Sequence, residues 1–121
     1  MTCHVARRIG EFQRRLRRDR RETYDALVTT DAELAGCERD RPGDFLDDAA
    51  TDTACRLLAG LEERDRRVLE EIDAAEARLS RGTFGACESC GRPIPSTRLR
   101  ALPTVRLCFA CEETAEQMVR G

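Results

Sequence analysis

Residues 54–79 read ACRLLAGLEERDRRVLEEIDAAEARL, and their spacing decides the fold. Ala54, Leu58, Leu61, Asp65, Val68, Ile72, Ala75 and Leu79 alternate four and three residues apart over more than three heptads, with Asp65 the one polar step. Side chains at that period form a seam that a second helix must cover. The candidate partner lies upstream in residues 5–36. There Val5, Ile9, Phe12 and Leu16 make one apolar stripe, which resumes at Tyr24, Leu27, Val28 and Leu34. Between the two runs stands Arg41-Pro42-Gly43-Asp44, a pair of turn formers with an acid placed to cap the second helix. Two helices of similar length joined by such a turn fold back as an antiparallel coiled-coil hairpin. Pairing inward from the turn sets Leu34 beside Ala54, Leu27 beside Leu61 and Ile9 beside Leu79. At ~1.5 Å of rise per residue, thirty-odd residues give a rod about 45 Å long.

Downstream the periodicity stops at Ser80-Arg81-Gly82, where Gly82 is placed to end the helix. Two CxxC pairs come next, Cys87-Glu88-Ser89-Cys90 and Cys108-Phe109-Ala110-Cys111, separated by seventeen residues. Each pair presents two thiolates from one tight turn, and Gly91 supplies the positive φ such a turn often needs. A short β-hairpin in the gap would bring both pairs to one tetrahedral zinc ion. All four ligand positions are cysteine, so no position is left for water or substrate, and the metal is structural rather than catalytic. The expected architecture is mainly α: a coiled-coil hairpin over residues 1–81 with its tip near 41–49. A four-cysteine zinc ribbon and a short C-terminal helix fill residues 82–121. Cys3, Cys37 and Cys55 lack any such spacing and read as ordinary thiols, and the single histidine, His4, reads as a chance placement.

Composition supports an elongated helical chain. Charged residues make up 36% of the 121 residues and aromatics 4%, with no Trp, too little bulky apolar material for a compact globule of this length. All 21 basic residues are Arg, which reads as the codon bias of a GC-rich genome. The net charge of −2 hides an asymmetry. Residues 7–21 carry a balance of +6, whereas residues 31–76 carry −9. A chain that coats nucleic acid is basic over its working surface, because phosphate neutralisation supplies most of the affinity. The acidic middle points instead to a basic protein surface or a metal-rich site as partner. No apolar run is long enough to span a bilayer and no signal peptide is evident, so the expected location is cytoplasmic. Seven cysteines there suit metal binding in the clustered ones over a disulfide framework.

Asp44, Asp47 and Asp48 crowd the hairpin turn, with Asp52 one turn further on. Acids at a helix N-terminus stabilise it by ~0.5–1 kcal/mol, which accounts for one or two of them. A cluster beside the apolar pair Phe45 and Leu46 at the end of a rod also fits a contact surface.

The run Gly82-Thr83-Phe84-Gly85-Ala86-Cys87-Glu88-Ser89-Cys90-Gly91, then Arg98-Leu99, Leu102-Pro103 and Leu107-Cys108-Phe109-Ala110-Cys111, resembles the DksA/TraR family of transcription factors. The tip Asp44-Phe45-Leu46-Asp47-Asp48-Ala49 fits that family's DxxDxA motif, at the family's separation from the ribbon. The first helix matches only in character, and the longer N-terminal extension of full-length DksA is not seen. The resemblance implies a monomeric regulator that binds bacterial RNA polymerase without sequence-specific DNA contact. It implies a coiled coil that enters the secondary channel, with Asp44 and Asp47 as the functional acids and Ala49 as the small residue that lets the tip pack. Family members that respond to guanosine tetraphosphate use basic residues at positions matched here by Glu71, Leu102 and Glu112, so that response is expected to be weak or absent. Two other readings stand beside this one. One is a nucleic-acid-binding ribbon using Arg92, Arg98, Arg100 and Arg106; the other is a redox- or zinc-responsive switch. Catalysis is not expected, for want of a nucleophile–base pair and an open metal position.

Overall fold

The computed structural model describes residues 3–39 and 48–120, with side-chain surroundings for 7–37 and 52–119. Four helices are present in it: α1 (Cys3–Arg39), α2 (Asp48–Arg81), α3 (Ser96–Ala101) and α4 (Phe109–Arg120). The two long helices are the expected hairpin, and α4 is the expected C-terminal helix. Among the described residues there is no strand, only an isolated antiparallel bridge between Ala86 and Pro93. The β-hairpin expected between the cysteine pairs is therefore replaced. One bridge flanks the first pair, and α3 occupies the gap.

The chain divides into two compact units, residues 1–18 with 71–121, and residues 19–70. Packing in the first unit joins residues on both sides of residue 81. Phe12 and Leu16 of α1, Ile72, Ala75 and Leu79 of α2, and Phe84, Cys87, Ile94, Leu99 and Val105 beyond α2 form one buried cluster. The Phe12 and Phe84 rings meet at 5.0 Å between centroids with a 53° tilt, a favourable geometry for aromatic pairs. Leu16, Ile72 and Phe84 are among the fully buried side chains of this cluster. The turn that delivers Phe84 is a Schellman motif. Gly82, at φ +78°, donates to the Leu79 carbonyl, and Thr83 donates to that of Arg78. The positive φ is one that glycine takes without steric cost, as expected for this position.

In the second unit the helices meet differently from the expected register. Cys37 of α1 is bonded to Cys55 of α2, with a Cα–Cα distance of 6.2 Å. The expected pairing of Leu34 with Ala54 would have set Cys37 opposite residue 51, so the observed register is one helical turn away. Cys37 and Cys55 are thus not ordinary free thiols, because two positions read separately lie face to face across the seam. The seam line on α2 also changes partner. Leu58 and Asp65 keep their places, but half-buried Cys55, Glu62 and Leu69 join them, while Ala54, Leu61 and Val68 are exposed. On α1, Leu27 is buried as expected, whereas Tyr24 (57% exposed) and Val28 turn outward and Thr30 is buried with Leu27. Thr30 satisfies its hydroxyl by donating to the Ala26 carbonyl one turn back, at 2.9 Å. Arg66 bonds Glu62 on its own helix at 2.9 Å and reaches Asp31 of α1 at 3.8 Å.

This distribution predicts unequal costs along the hairpin. Leu16→Ala, at a fully buried position, should lower unfolding free energy by about 2–5 kcal/mol. Leu61→Ala, at a position 46% exposed, should cost less than about 1 kcal/mol. Chemical denaturation followed by helical circular dichroism measures both, and equal losses would contradict the burial pattern.

Candidate metal centre

Two different pieces of local structure supply the four thiols. The first is a knuckle closed by Cys87 N–H donating to Arg92 O (2.9 Å), Gly91 N–H donating to Cys87 O (3.0 Å), and Ile94 N–H donating to Gly85 O (2.7 Å). Gly91 takes φ +75° there, as the expected turn requires. The second is the N-terminal turn of α4. Cys108 sits immediately before that helix, its carbonyl accepting from Glu112 N–H at 3.0 Å, and Cys111 lies within the first turn. A thiolate at Cys108 therefore stands where an N-cap oxygen would, toward backbone donors and the positive end of the helix.

The sulfurs of Cys87, Cys90, Cys108 and Cys111 all lie within 4.8 Å of one another. Cys90 Sγ and Cys108 Sγ are 3.8 Å apart. A tetrahedron of Zn–S bonds ~2.3 Å long has edges of about 3.8 Å, so the donor set matches zinc in identity and in spacing. Cys87 is buried, Cys90 exposed, and Cys108 and Cys111 intermediate. Burial pushes the Cys87 thiol up, but backbone N–H groups of Cys108, Cys90 and Ser89 outweigh it and bring it down to about 6. The Cys111 backbone N–H lowers Cys108, whereas the crowded Cys108 and Cys87 sulfurs raise Cys111 to about 12. Charges packed this closely cannot all form without a cation among them. The four residues hold one structural zinc. When bound, the ion fixes the knuckle to α4, and four thiolates leave it no open position.

Around the sulfurs runs an arginine–glutamate lattice that the sequence did not advertise. Arg106 makes a bidentate pair with Glu71, at 2.9 and 3.0 Å, which holds it charged. It also reaches Glu88, within the first cysteine pair, at 3.6 Å. Arg78, buried at the end of α2, reaches the same Glu88 at 3.6 Å and donates to the Thr104 carbonyl at 3.3 Å. Arg98 donates to the Leu107 carbonyl at 3.2 Å, pairs with Glu112 and lies over the exposed Phe109 ring, 5.9 Å from its centroid. Arg15 of α1 donates to the final carbonyls of α3, those of Arg100 and Ala101. The only sequence signal for these partners was an excess of arginine, which did not say where each would point.

The tip residues proposed from sequence cannot be placed in the same way. Asp44 and Asp47 lie outside the described residues, and of Ala49 only the backbone, in the first turn of α2, is described.

Taken together, a long helical hairpin rooted in a four-cysteine zinc ribbon defines a zinc-finger hairpin protein. Comparison with known proteins gives the family. Residues 82–117 match the prokaryotic dksA/traR C4-type zinc finger. The chain is 31% identical over 108 residues to the RNA polymerase-binding transcription factor DksA of Escherichia coli (strain K12), covering 89% of this chain and 71% of that protein. It is 32% identical over 83 residues to DksA of Caulobacter vibrioides (strain NA1000 / CB15N), covering 69% of this chain and 58% of the relative. In structure it is similar to transcription factor DksA2 from Pseudomonas aeruginosa, with a TM-score of 0.81, 34% identity, and coverage of 93% of this chain and 85% of that one. The chain belongs to the DksA/TraR family.

Because metal-binding energy is folding energy in so small a module, loss of one ligand should be felt well beyond the site. Cys108→Ser should reduce zinc from one per chain to well below half, measured by elemental analysis of purified protein. Limited proteolysis should then cut first within residues 82–121. Full zinc content in that variant would rule out the four-thiolate assignment.

Proposed function

We propose that this chain is a non-catalytic, cytoplasmic regulator of transcription. In this reading it binds RNA polymerase as a monomer, passes its coiled coil into the secondary channel, and modulates promoter complexes through Asp44 and Asp47, with Ala49 allowing the tip to pack. The observation that carries this reading is the joint match of hairpin and ribbon. The same relative that is 34% identical reproduces 93% of the chain at a TM-score of 0.81, which a shared zinc finger alone would not give. The work is divided as 1–81 for the hairpin and 82–121 for the ribbon that anchors it. No described helix is long and apolar enough to cross a membrane, in keeping with the proposed location.

Two observations weigh between this and other uses of the ribbon. Arg98 and Arg106, two of the four arginines available for nucleic acid, are engaged by Glu112 and Glu71. These ion pairs favour the proposed role, which involves no sequence-specific DNA contact. Glu71, Leu102 and Glu112 also line one groove of about 400 Å³ together with Glu88 and Arg106. The guanidinium in that groove is already held bidentately by Glu71, and Glu88 and Glu112 line the same groove, so a polyphosphate would find no free cation among its lining residues. The proposed regulator accordingly responds to guanosine tetraphosphate weakly or not at all, or only through polymerase.

The decisive test compares the wild type with Asp44→Asn/Asp47→Asn for polymerase affinity and open-complex lifetime. The double variant should bind as the wild type does and lose most of its effect on lifetime. If it binds and acts unchanged, the acids are helix caps and the functional assignment fails. In the same assay guanosine tetraphosphate should leave the chain's polymerase affinity unaltered, and a clear increase that disappears when Glu71, Leu102 and Glu112 are mutated would contradict the reading of the groove.

A further inference from the structure

The second unit is held together by little apolar burial. Of its described side chains only Leu27 and Thr30 are buried, and the seam between the helices carries Glu62 and Asp65 at half-buried positions. Leu57 and Leu61, which would strengthen an apolar seam, face outward. Into this weak seam the fold sets Cys37 and Cys55, whose Cα atoms are 6.2 Å apart, within the range a disulfide spans without moving the backbone. Both residues are half-buried, so a small thiol or disulfide can reach them. Neither belongs to the four-sulfur cluster, which lies in the other unit.

From this placement we infer that Cys37 and Cys55 are a reversible thiol–disulfide modification site, distinct from the zinc thiolates, that fastens α1 to α2 when the surrounding thiol pool is oxidised. The co-reactant is a low-molecular-weight disulfide such as oxidised glutathione. One cysteine thiolate attacks a glutathione sulfur, forming a mixed disulfide and releasing one glutathione thiolate. The second cysteine thiolate then attacks the protein sulfur of the mixed disulfide and releases the other glutathione. Two electrons pass from the protein to glutathione, and the protons of both protein thiols leave with the two glutathione molecules. Excess reduced glutathione runs the same steps backward. The zinc-bound thiolates share their charge with the cation and are poorer nucleophiles in this exchange. The link therefore forms while the metal stays in place.

The test uses the full, zinc-loaded chain equilibrated across a series of reduced-to-oxidised glutathione ratios. After acid quenching and alkylation, mass spectrometry reads each cysteine, and a chromogenic chelator reads released zinc. Cys37 and Cys55 should pass together into the cross-linked form and return on addition of reduced glutathione, with one zinc per chain throughout. Hydrogen exchange of amides in residues 27–37 and 55–69 should slow by about tenfold or more in the cross-linked form. In Cys55→Ser, Cys37 should instead retain glutathione, with no slowing. The inference is overturned if both thiols remain alkylatable across the series, if zinc is lost before the link forms, if reduced glutathione cannot reopen it, or if exchange is the same in both forms.

Discussion

The four crowded thiolates of residues 87–111 constrain everything at the base of this molecule. Sulfurs within 4.8 Å of one another cannot all carry charge unless a cation sits among them. Once it does, the Cys87 knuckle and the first turn of α4 become one body. That body presents Phe84, Ile94, Leu99 and Val105 as a fixed apolar surface, and Phe12, Leu16, Ile72 and Leu79 pack onto it. The hairpin's root is therefore neither self-sufficient nor merely adjacent to the ribbon. Metal coordination, a buried aromatic pair and the helix ends form a single cooperative structure.

Much of this was legible in the sequence. The two CxxC pairs fixed the ligand set, the four-three spacing fixed the helical hairpin, and Gly82 marked the end of the second helix. These are local signals, since each depends on residues within a few positions of one another. What escaped were the choices made across space. Heptad spacing could not tell whether Ala54, Leu61 and Val68 or Cys55, Glu62 and Leu69 would join Leu58 and Asp65, because both sets continue the period. Tertiary contact decided, and Cys37 faces Cys55 one turn from the pairing read inward from the turn. The arginine lattice was hidden for a similar reason. Arg15, Arg78, Arg98 and Arg106 look alike in a chain with 21 arginines, and only the fold shows which carbonyls and carboxylates each of them binds.

The two compact units rest on different physics. In the first, apolar burial and metal binding dominate, and charged residues such as Arg78 are used as internal ties. In the second, exposed apolar groups and half-buried polar ones share the helix faces, and one covalent bond does what a layer of leucines would otherwise do. Robust anchoring at the ribbon and looser association between the helices beyond it are thus encoded separately in the same pair of helices.

Arg15 and the carbonyls of Arg100 and Ala101 are 85 and 86 positions apart in sequence, and Phe12 must find Phe84 over a similar span. A ribosome therefore releases Phe12 and Arg15 well before the residues they contact. The helices of the second unit have their mutual contacts complete once residue 70 has emerged. The first eighteen residues, by contrast, have no finished surface to rest on until the ribbon is made. The N-terminal arm of α1 is thus made well before the ribbon surface it rests on, and is seated only after that surface exists.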